Sequence, residues 1–337
     1  MKLMKKKVLV TGGAGFIGSH LSERLLKEGA SVRILDNFST GDKRNLNNVF
    51  HDIEIIEGDI RNRDIVKKSL KNVDIVFHEA AQINPAKAVK DPLFDFEVNV
   101  VGTINLLFEA LNQNVQKFIM ASTNVYGNAE EERMHESFST LFKKNSLLSP
   151  YAAAKVSAEA YLKVANDELG LPTVRLRYTN VYGPRQLAKS ESGVVAIFVK
   201  NAMRKKPITI FGDGSRKRDF VYIDDVVEAN ILASECEKAN GDVFNVGTGI
   251  ETSVKELATL IIDITGENIP IIYGPERAAD FLRVKADLTH INSILGYTPK
   301  VFLKEGLIKY IDWCTKNQDM KCSPKTGQGN KVQNGLP

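Results

Sequence analysis

The sequence predicts an α/β fold, a Rossmann-type doubly wound parallel sheet with a smaller C-terminal α/β region for substrate. Three observations predict it. Short apolar runs alternate with amphipathic stretches through the first half, a repeated β-α pattern. The apolar runs lack strict alternation, as expected of strands covered on both faces. A glycine-rich turn, Gly12-Gly13-Ala14-Gly15-Phe16-Ile17-Gly18, joins the first run to the first amphipathic stretch.

In chain order, Lys7–Thr11 reads as a buried strand, and Ile17–Glu28 as a helix with Ile17, Leu21, Leu25 and Leu26 on one face, stopped by Gly29. Ser31–Asp36, Ile53–Glu57, Val73–His78 and Lys117–Ala121 supply the next four strands. Asp95–Gln113 carries apolar residues at helical spacing, and a helix from Tyr151 leads into the strand Thr173–Tyr178. After Gly183-Pro184 the elements shorten, and Phe211–Arg218, Asn245–Thr252 and Gly274–Arg283 read as loops rich in Gly, Pro and charge. The expected division is therefore 1–183 as a dinucleotide-binding domain and 184–316 as a substrate region. Segments such as 220–229 cross back to the first domain, and the polar stretch 317–337 is a mobile tail.

Composition excludes several classes. With 45 basic against 41 acidic residues and no basic block interleaved with aromatics, nothing indicates a nucleic-acid partner. Lys5-Lys6-Lys7 precedes only Val8-Leu9-Val10 before Thr11-Gly12, whereas a secretory core needs about 7–15 apolar residues. No run approaches the roughly 18 apolar residues of a membrane span. Cys236, Cys314 and Cys322 are odd in number and widely spaced, which suggests neither a disulfide framework nor a metal site. A cytoplasmic, reduced location is expected.

The spacing Gly12-x-x-Gly15-x-x-Gly18, between a predicted strand and a predicted helix, allows a tight turn and a close approach of backbone to a pyrophosphate. Asp36 ends the second strand about 20 residues further on, where a carboxylate accepts from both ribose hydroxyls of NAD and repels the extra phosphate of NADP. Arg33 lies inside that strand, and Lys43 and Arg44 stand further along the loop, so NAD is the expected cofactor. Asp59 reads either as a turn aspartate or as a partner of the adenine amino group. Phe16, Ile17, Asn37 and Ile60 complete this candidate set.

Tyr151 and Lys155 are four residues apart, one helical turn on one face. An adjacent ammonium is expected to lower the tyrosine pKa and make its phenolate a usable base. Ser122 and Thr123 end the strand before Asn124-Val125-Tyr126-Gly127, in the crevice where parallel sheets bind ligands. Either Ser122 hydrogen-bonds the substrate oxygen that meets Tyr151, or these residues only cap the following loop.

Taken together, the glycine triplet, Asp36, Asp59, Ser122 and the Tyr151/Lys155 pair resemble the extended short-chain dehydrogenase/reductases, most nearly the UDP-glucose (UDP-galactose) 4-epimerases. The likeness runs from Val8 to about Asp312. It implies that Ala80, Ala81 and Gln82 after the fourth strand, and Asn99 in the next helix, line the cofactor. It also implies that Tyr178 lies near the nicotinamide, and that Asn180, Arg218 and Arg277 hold the substrate diphosphate. Two departures stand out: Glu79 replaces an apolar residue, and Ala278-Ala279 replaces Pro-Gly beside Arg277.

The implied reaction is NAD-dependent 4-epimerisation of a UDP-hexose through a transient 4-keto sugar. The set for it is Tyr151 as base, Ser122 on the same oxygen and Lys155 on the cofactor ribose. Thr123 and Asn124 stand where related dehydratases and decarboxylases carry acidic residues, which disfavours those reactions. UDP-glucuronate 4-epimerisation remains the alternative. A non-catalytic NAD-binding protein on this fold is disfavoured by the Tyr151/Lys155 pair. The resemblance further implies a homodimer through the Asp95–Gln113 and Tyr151–Glu168 helices. It places Val284 beside the sugar's C2 substituent, where a residue this small admits N-acetyl; packing against a neighbouring strand is the other reading.

Overall fold

The computed structural model describes residues 2–126, 133–137, 149–186, 193–276 and 284–317. The first half runs β1 (Lys7–Thr11), α1 (Phe16–Lys27), β2 (Ser31–Asp36), β3 (Ile53–Glu57), α2 (Arg63–Leu70) and β4 (Ile75–His78). Short helices α3 (Pro85–Lys90) and α4 (Pro92–Phe96) lead through a π turn at Glu97–Val101 into α5 (Gly102–Asn112). Then come β5 (Lys117–Thr123), α6 (Pro150–Asp167), β6 (Thr173–Tyr178), β7 (Asn180–Tyr182), α7 (Val194–Met203), β8 (Ile208–Phe211) and β9 (Lys217–Tyr222). The remainder is α8 (Ile223–Glu235), β10 (Val243–Val246), β11 (Glu251–Ser253), α9 (Val254–Thr265), β12 (Ile271–Gly274), α10 (Thr289–Leu295) and α11 (Leu303–Lys316).

Seven strands form one sheet in the order β10-β6-β5-β4-β1-β2-β3, and every pairing in it is parallel. The chain order reverses between β1 and β4, which opens a crevice beyond their C-terminal ends. One apolar layer, including Leu21 and Leu25 of α1 and Val226 and Val227 of α8, covers one face. The other includes Val66 of α2, Leu106 and Leu107 of α5, and Ala158 and Leu162 of α6. Each large side chain buried between such layers stabilises by about 1.5–3 kcal/mol.

Two features differ from the sequence expectation. The apolar stretch Asp95–Gln113 is not one α-helix, because the π turn inserts an extra residue of arc at Glu97–Val101. The seventh strand, β10, comes from within 184–316 and takes in Asn245 and Val246, the start of a stretch read as a loop. Beyond the main sheet, β11, β9 and β7 make a three-stranded sheet and β12 pairs with β8. Among the described residues no helix is long and apolar enough to cross a membrane.

Candidate active site

The cofactor end of the crevice is built mainly from backbone. Gly12 has φ +66°, and a Cβ there would lie 2.8 Å from the Ala80 amide nitrogen; at Gly18 it would lie 2.3 Å from the Gly12 carbonyl. The first approach packs the turn against the residues that follow β4, and the second packs α1 against the turn. Gly15 caps α1 without any side-chain hydrogen bond to the first turn, and that turn carries no acidic residue. Its amides are therefore oriented for an anion such as a pyrophosphate. Phe16 and Ile17 open α1 and pack against the core.

Asp36 lies buried at the end of β2, its Oδ2 accepting from the Ala14 amide at 2.9 Å and its Oδ1 from Phe38 at 2.8 Å. A carboxylate at the end of this strand can accept from ribose hydroxyls. The cations that could instead attract a ribose phosphate are engaged elsewhere. Lys43 pairs with Glu57 at 3.0 Å and Arg44 with Asp42 at 2.6 Å, while Arg33 donates to the carbonyls of Ser69 and Lys71. The donor set thus fits NAD. Asn37 donates to Asp59 Oδ2 at 2.9 Å, and Arg61 ion-pairs with Asp59 at 3.0 Å. Burial works to raise the Asp59 pKa, but the bonds from Arg61 and Asn37 outweigh it and hold the carboxyl below its usual value. Ile60 is buried in the core layer beneath α5.

The reacting end is built from side chains. Ser149 caps α6 by accepting from the Ala152 amide at 3.1 Å, and Pro150 opens the helix, which fixes where Tyr151 begins its stripe. From there α6 is latched to the end of β5 at three successive turns. The Thr123 hydroxyl faces the Tyr151 oxygen and tends to lower its pKa. Lys155 Nζ donates to the Ala121 carbonyl at 3.0 Å, and Ser122 Oγ donates to Glu159 Oε1 at 2.5 Å.

The expected lowering of the Tyr151 pKa by Lys155 does not hold in this arrangement. Enclosure of the hydroxyl raises it, and the negative charge of Asp95 raises it further, against the one lowering influence of Thr123. Lys155 is itself brought down to about 8 by burial, with Glu79, Glu159 and Asp95 opposing the fall.

A ring of polar groups surrounds this latch. Asn99 and Gln82 clasp each other, the Gln82 amide donating to Asn99 Oδ1 at 2.9 Å and Asn99 Nδ2 to the Gln82 carbonyl at 3.0 Å. Both also donate to Asp95 Oδ1, at 2.7 and 3.0 Å, while Asp95 Oδ2 is buried without a partner. Ala80 donates to the Thr11 hydroxyl at 3.2 Å, and Ala81 lies between it and the clasp. Tyr178, buried at the end of β6, donates to Glu79 Oε1 at 2.9 Å and accepts from Asn230 at 2.8 Å. Burial lifts the Glu79 carboxyl to about 7 despite the bond from Tyr178 and the charge of Lys155.

Asn180 opens β7 in register with Phe220 of β9, and its side-chain amide donates to the Asp219 carbonyl at 3.4 Å; Arg218, two residues before Phe220, donates to the Lys217 carbonyl at 2.8 Å. Arg277 lies outside the described residues. Val284 is 2% exposed and packs with Tyr126 and Met134, and it lines a small cavity shared with Asn124, Tyr178 and Thr179. Within that wall, Asn124 Nδ2 and Thr179 Oγ1 are buried without partners.

Several of these groups escape the sequence reading. Glu159 repeats the Tyr151–Lys155 interval of four, and Arg177, which pairs with it at 2.6 Å, is a charged residue within the fully buried strand β6; both were visible signals. Asp95 gives no such sign, because its partner Gln82 lies in the loop after β4, 13 residues earlier, and only the packing of α4 brings the two together.

A glycine loop at the switch point with an acidic residue ending β2 defines a dinucleotide-binding Rossmann enzyme fold. Residues 8–247 match the NAD dependent epimerase/dehydratase family, and the chain belongs to that family, with NAD as its cofactor. It is 39% identical over 313 residues to a putative UDP-glucose 4-epimerase of Methanocaldococcus jannaschii, covering 92% of this chain and 99% of the relative. It is similar to the crystal structure of UDP-glucose 4-epimerase with UDP-glucose from Thermotoga maritima, with TM-score 0.86 and 40% identity over 93% of this chain and 99% of the other. A UDP-N-acetylglucosamine 4-epimerase from Methanobrevibacter ruminantium, in complex with UDP-N-acetylmuramic acid, superposes with TM-score 0.87 and 35% identity, covering 93% and 99%. Other reactions lie close by: relatives named UDP-glucuronic acid decarboxylases are 32–34% identical over about nine-tenths of this chain. The homologues support a nucleotide-sugar epimerase or a related family member.

Proposed function

We propose that this protein epimerises UDP-hexoses at C4, taking the UDP-glucose/UDP-galactose pair and the corresponding N-acetylhexosamine pair. The observation that carries the proposal is the three-point latch of α6 on β5, which gathers Ser122, Tyr151 and Lys155 at the mouth of the crevice. Gly12, Gly15, Phe16, Ile17 and Gly18 hold the NAD pyrophosphate, and Asp36 and Asn37 hold the adenosine ribose. Asp59 and Ile60 face the adenine, and Ala80, Ala81, Gln82, Asn99, Lys155 and Tyr178 line the remainder. When bound, NAD supplies a reversible hydride acceptor. Tyr151, as its phenolate, would take the proton of the sugar 4-hydroxyl, which requires the positive nicotinamide of bound NAD to counter the enclosure and the Asp95 charge that raise its pKa; Ser122 and Thr123 orient that oxygen. Asn180 and Arg218, with Arg277, anchor the diphosphate away from C4, so that the sugar turns without leaving.

Support for the 4-epimerase reading over decarboxylation or dehydration comes from Thr123 and Asn124, neither of which is a carboxyl acid or base. Incubation of the purified protein with UDP-glucose, UDP-N-acetylglucosamine and UDP-glucuronate, with products resolved by chromatography, tests it. Interconversion of UDP-glucuronate alone would replace the proposal with the glucuronate 4-epimerase. For the C2 substituent, Val284→Tyr should abolish N-acetylhexosamine turnover and spare UDP-glucose, as steric exclusion from the cavity requires.

The same reading includes a cytoplasmic homodimer. Leu93, 75% exposed on α4, and the exposed Phe108 of α5 and Tyr161 and Val164 of α6 offer apolar surface for pairing two copies of this helical layer. Light scattering on the purified protein should give twice the chain mass, and Tyr161→Asp should halve it.

A further inference from the structure

The carboxylate behind Ser122 takes no part in the reaction proposed above, yet it is held with unusual completeness. Glu159 Oε1 accepts from Ser122 at 2.5 Å and from Arg177 Nε at 3.0 Å, and its Oε2 accepts from a terminal guanidinium nitrogen of Arg177 at 2.6 Å. The other terminal nitrogen donates to the Tyr126 hydroxyl at 2.9 Å, which donates onward to Asn245 Oδ1 at 2.6 Å. Ser122, Glu159 and Arg177 are all buried, none more than 6% exposed. A buried ion pair is seldom a net gain over apolar side chains of the same volume. Its place directly behind a site serine therefore calls for a separate account.

A serine hydroxyl has one proton to give and lone pairs to receive. Given to an ionised carboxylate, that proton enters a bond roughly twice as strong as a neutral one. Before reaction, a 4-hydroxyl on the sugar can donate to the Ser122 lone pairs left over, and the same proton turns to Tyr151 when that base takes it. A 4-keto oxygen can only accept, so Ser122 must leave Glu159 to reach it.

We infer that Glu159 is a positioning residue that holds the Ser122 proton away from the sugar, so that Ser122 favours the alcohol forms of the substrate over the keto form. The inference rests on the 4-epimerase reading. It deepens that reading by giving the site a means of keeping the ketone short-lived. Arg177 grips both oxygens of Glu159 and so fixes the carboxylate's orientation. Tyr126 and Asn245 fix Arg177 in turn.

The test compares the unmodified protein, Glu159→Gln, Ser122→Ala and the double variant, each given UDP-glucose. Two quantities are read: turnover, and the fraction of bound cofactor that is reduced, from nicotinamide absorbance. A neutral amide competes less well for the serine proton. Glu159→Gln should therefore raise the reduced fraction at least about threefold and lower kcat about tenfold, with KM changed less than about twofold. In the Ser122→Ala background it should change neither. Equal losses of kcat with and without the Ser122 hydroxyl, or an unchanged reduced fraction, overturn the inference. Should Glu159→Gln fail to fold, the paired change Glu159→Met with Arg177→Met removes both charges together. A raised reduced fraction in that variant supports the inference, and an unchanged one overturns it. Absence of turnover in the unmodified protein brings down the 4-epimerase reading and the inference together; turnover with additive losses brings down the inference alone.

Discussion

The two ends of the crevice solve the same problem, holding polar groups in place, with different materials. At the cofactor end the partners are backbone amides: Asp36 is held by Ala14 and Phe38, and the turn is held by contacts that leave no room for a side chain at Gly12 or Gly18. At the reacting end the partners are other side chains, with Glu79 bound by Tyr178, Asp95 by Gln82 and Asn99, and Glu159 by Ser122 and Arg177. Backbone amides carry no formal charge and do not titrate, so the glycine turn itself keeps its shape across pH. The second is a set of coupled ionisable groups in which each charge shifts its neighbours.

The sharpest way to separate the two ends is Tyr151→Phe, which removes one hydroxyl and no packing. Turnover should fall by about a thousandfold or more while the NAD released on denaturation stays at the unmodified level. Loss of NAD along with activity would break the separation. Gly18→Ala attacks the other end, since the added methyl meets the Gly12 carbonyl at 2.3 Å. The purified variant should retain under about a tenth of the NAD, with a lowered thermal midpoint. Asp36→Ala removes the carboxylate that holds the Ala14 amide of the turn. NAD should bind about tenfold or more weakly, as expected on loss of hydrogen bonds to a charged acceptor, with kcat at saturating NAD little changed. Release of mainly NADP from the unmodified protein would contradict the role given to Asp36.

Smaller effects test the coupling. Asp95 raises the pKa of Tyr151 and also supports the charge of Lys155. Asp95→Asn should move both downward, so the acid limb of the kcat/KM profile should shift to lower pH. A limb that stays in place shows the two groups to be independent. Glu79 has a folded pKa of about 7 against an ordinary value of 4.5, so the folded state holds its proton more tightly than the unfolded chain. That contribution is complete below about pH 4.5 and is lost as pH rises towards 7. Glu79→Gln should flatten the thermal midpoint across this interval, measured by calorimetry.

The same contrast explains how much of the molecule was legible in its sequence. The strands Ser31–Asp36 and Ile53–Glu57 and the glycine turn were readable because local spacing dictates backbone. The Tyr151/Lys155 stripe was readable because an interval of four is a property of any helix. The Glu159–Arg177 pair joins α6 to β6, and Asp95 on α4 meets Gln82 in the loop after β4. Such contacts depend on how elements pack, which no local pattern records. The direction of the Tyr151 pKa was misjudged for that reason: the interval revealed Lys155, and packing supplied both the enclosure and Asp95.

The seventh strand also bears on how the chain can fold during synthesis. Val243–Val246 lies beside Thr173–Tyr178, yet α7, β8, β9 and α8 all emerge between them. Until residue 246 has left the ribosome, β6 presents an unpaired edge of buried-type sequence, the kind of surface that seeks a strand from another chain. A fragment ending at residue 183 would carry the glycine turn and the Tyr151/Lys155 pair but keep that edge permanently open. It should aggregate on expression, whereas a fragment extended through α8 and β10 should remain dispersed.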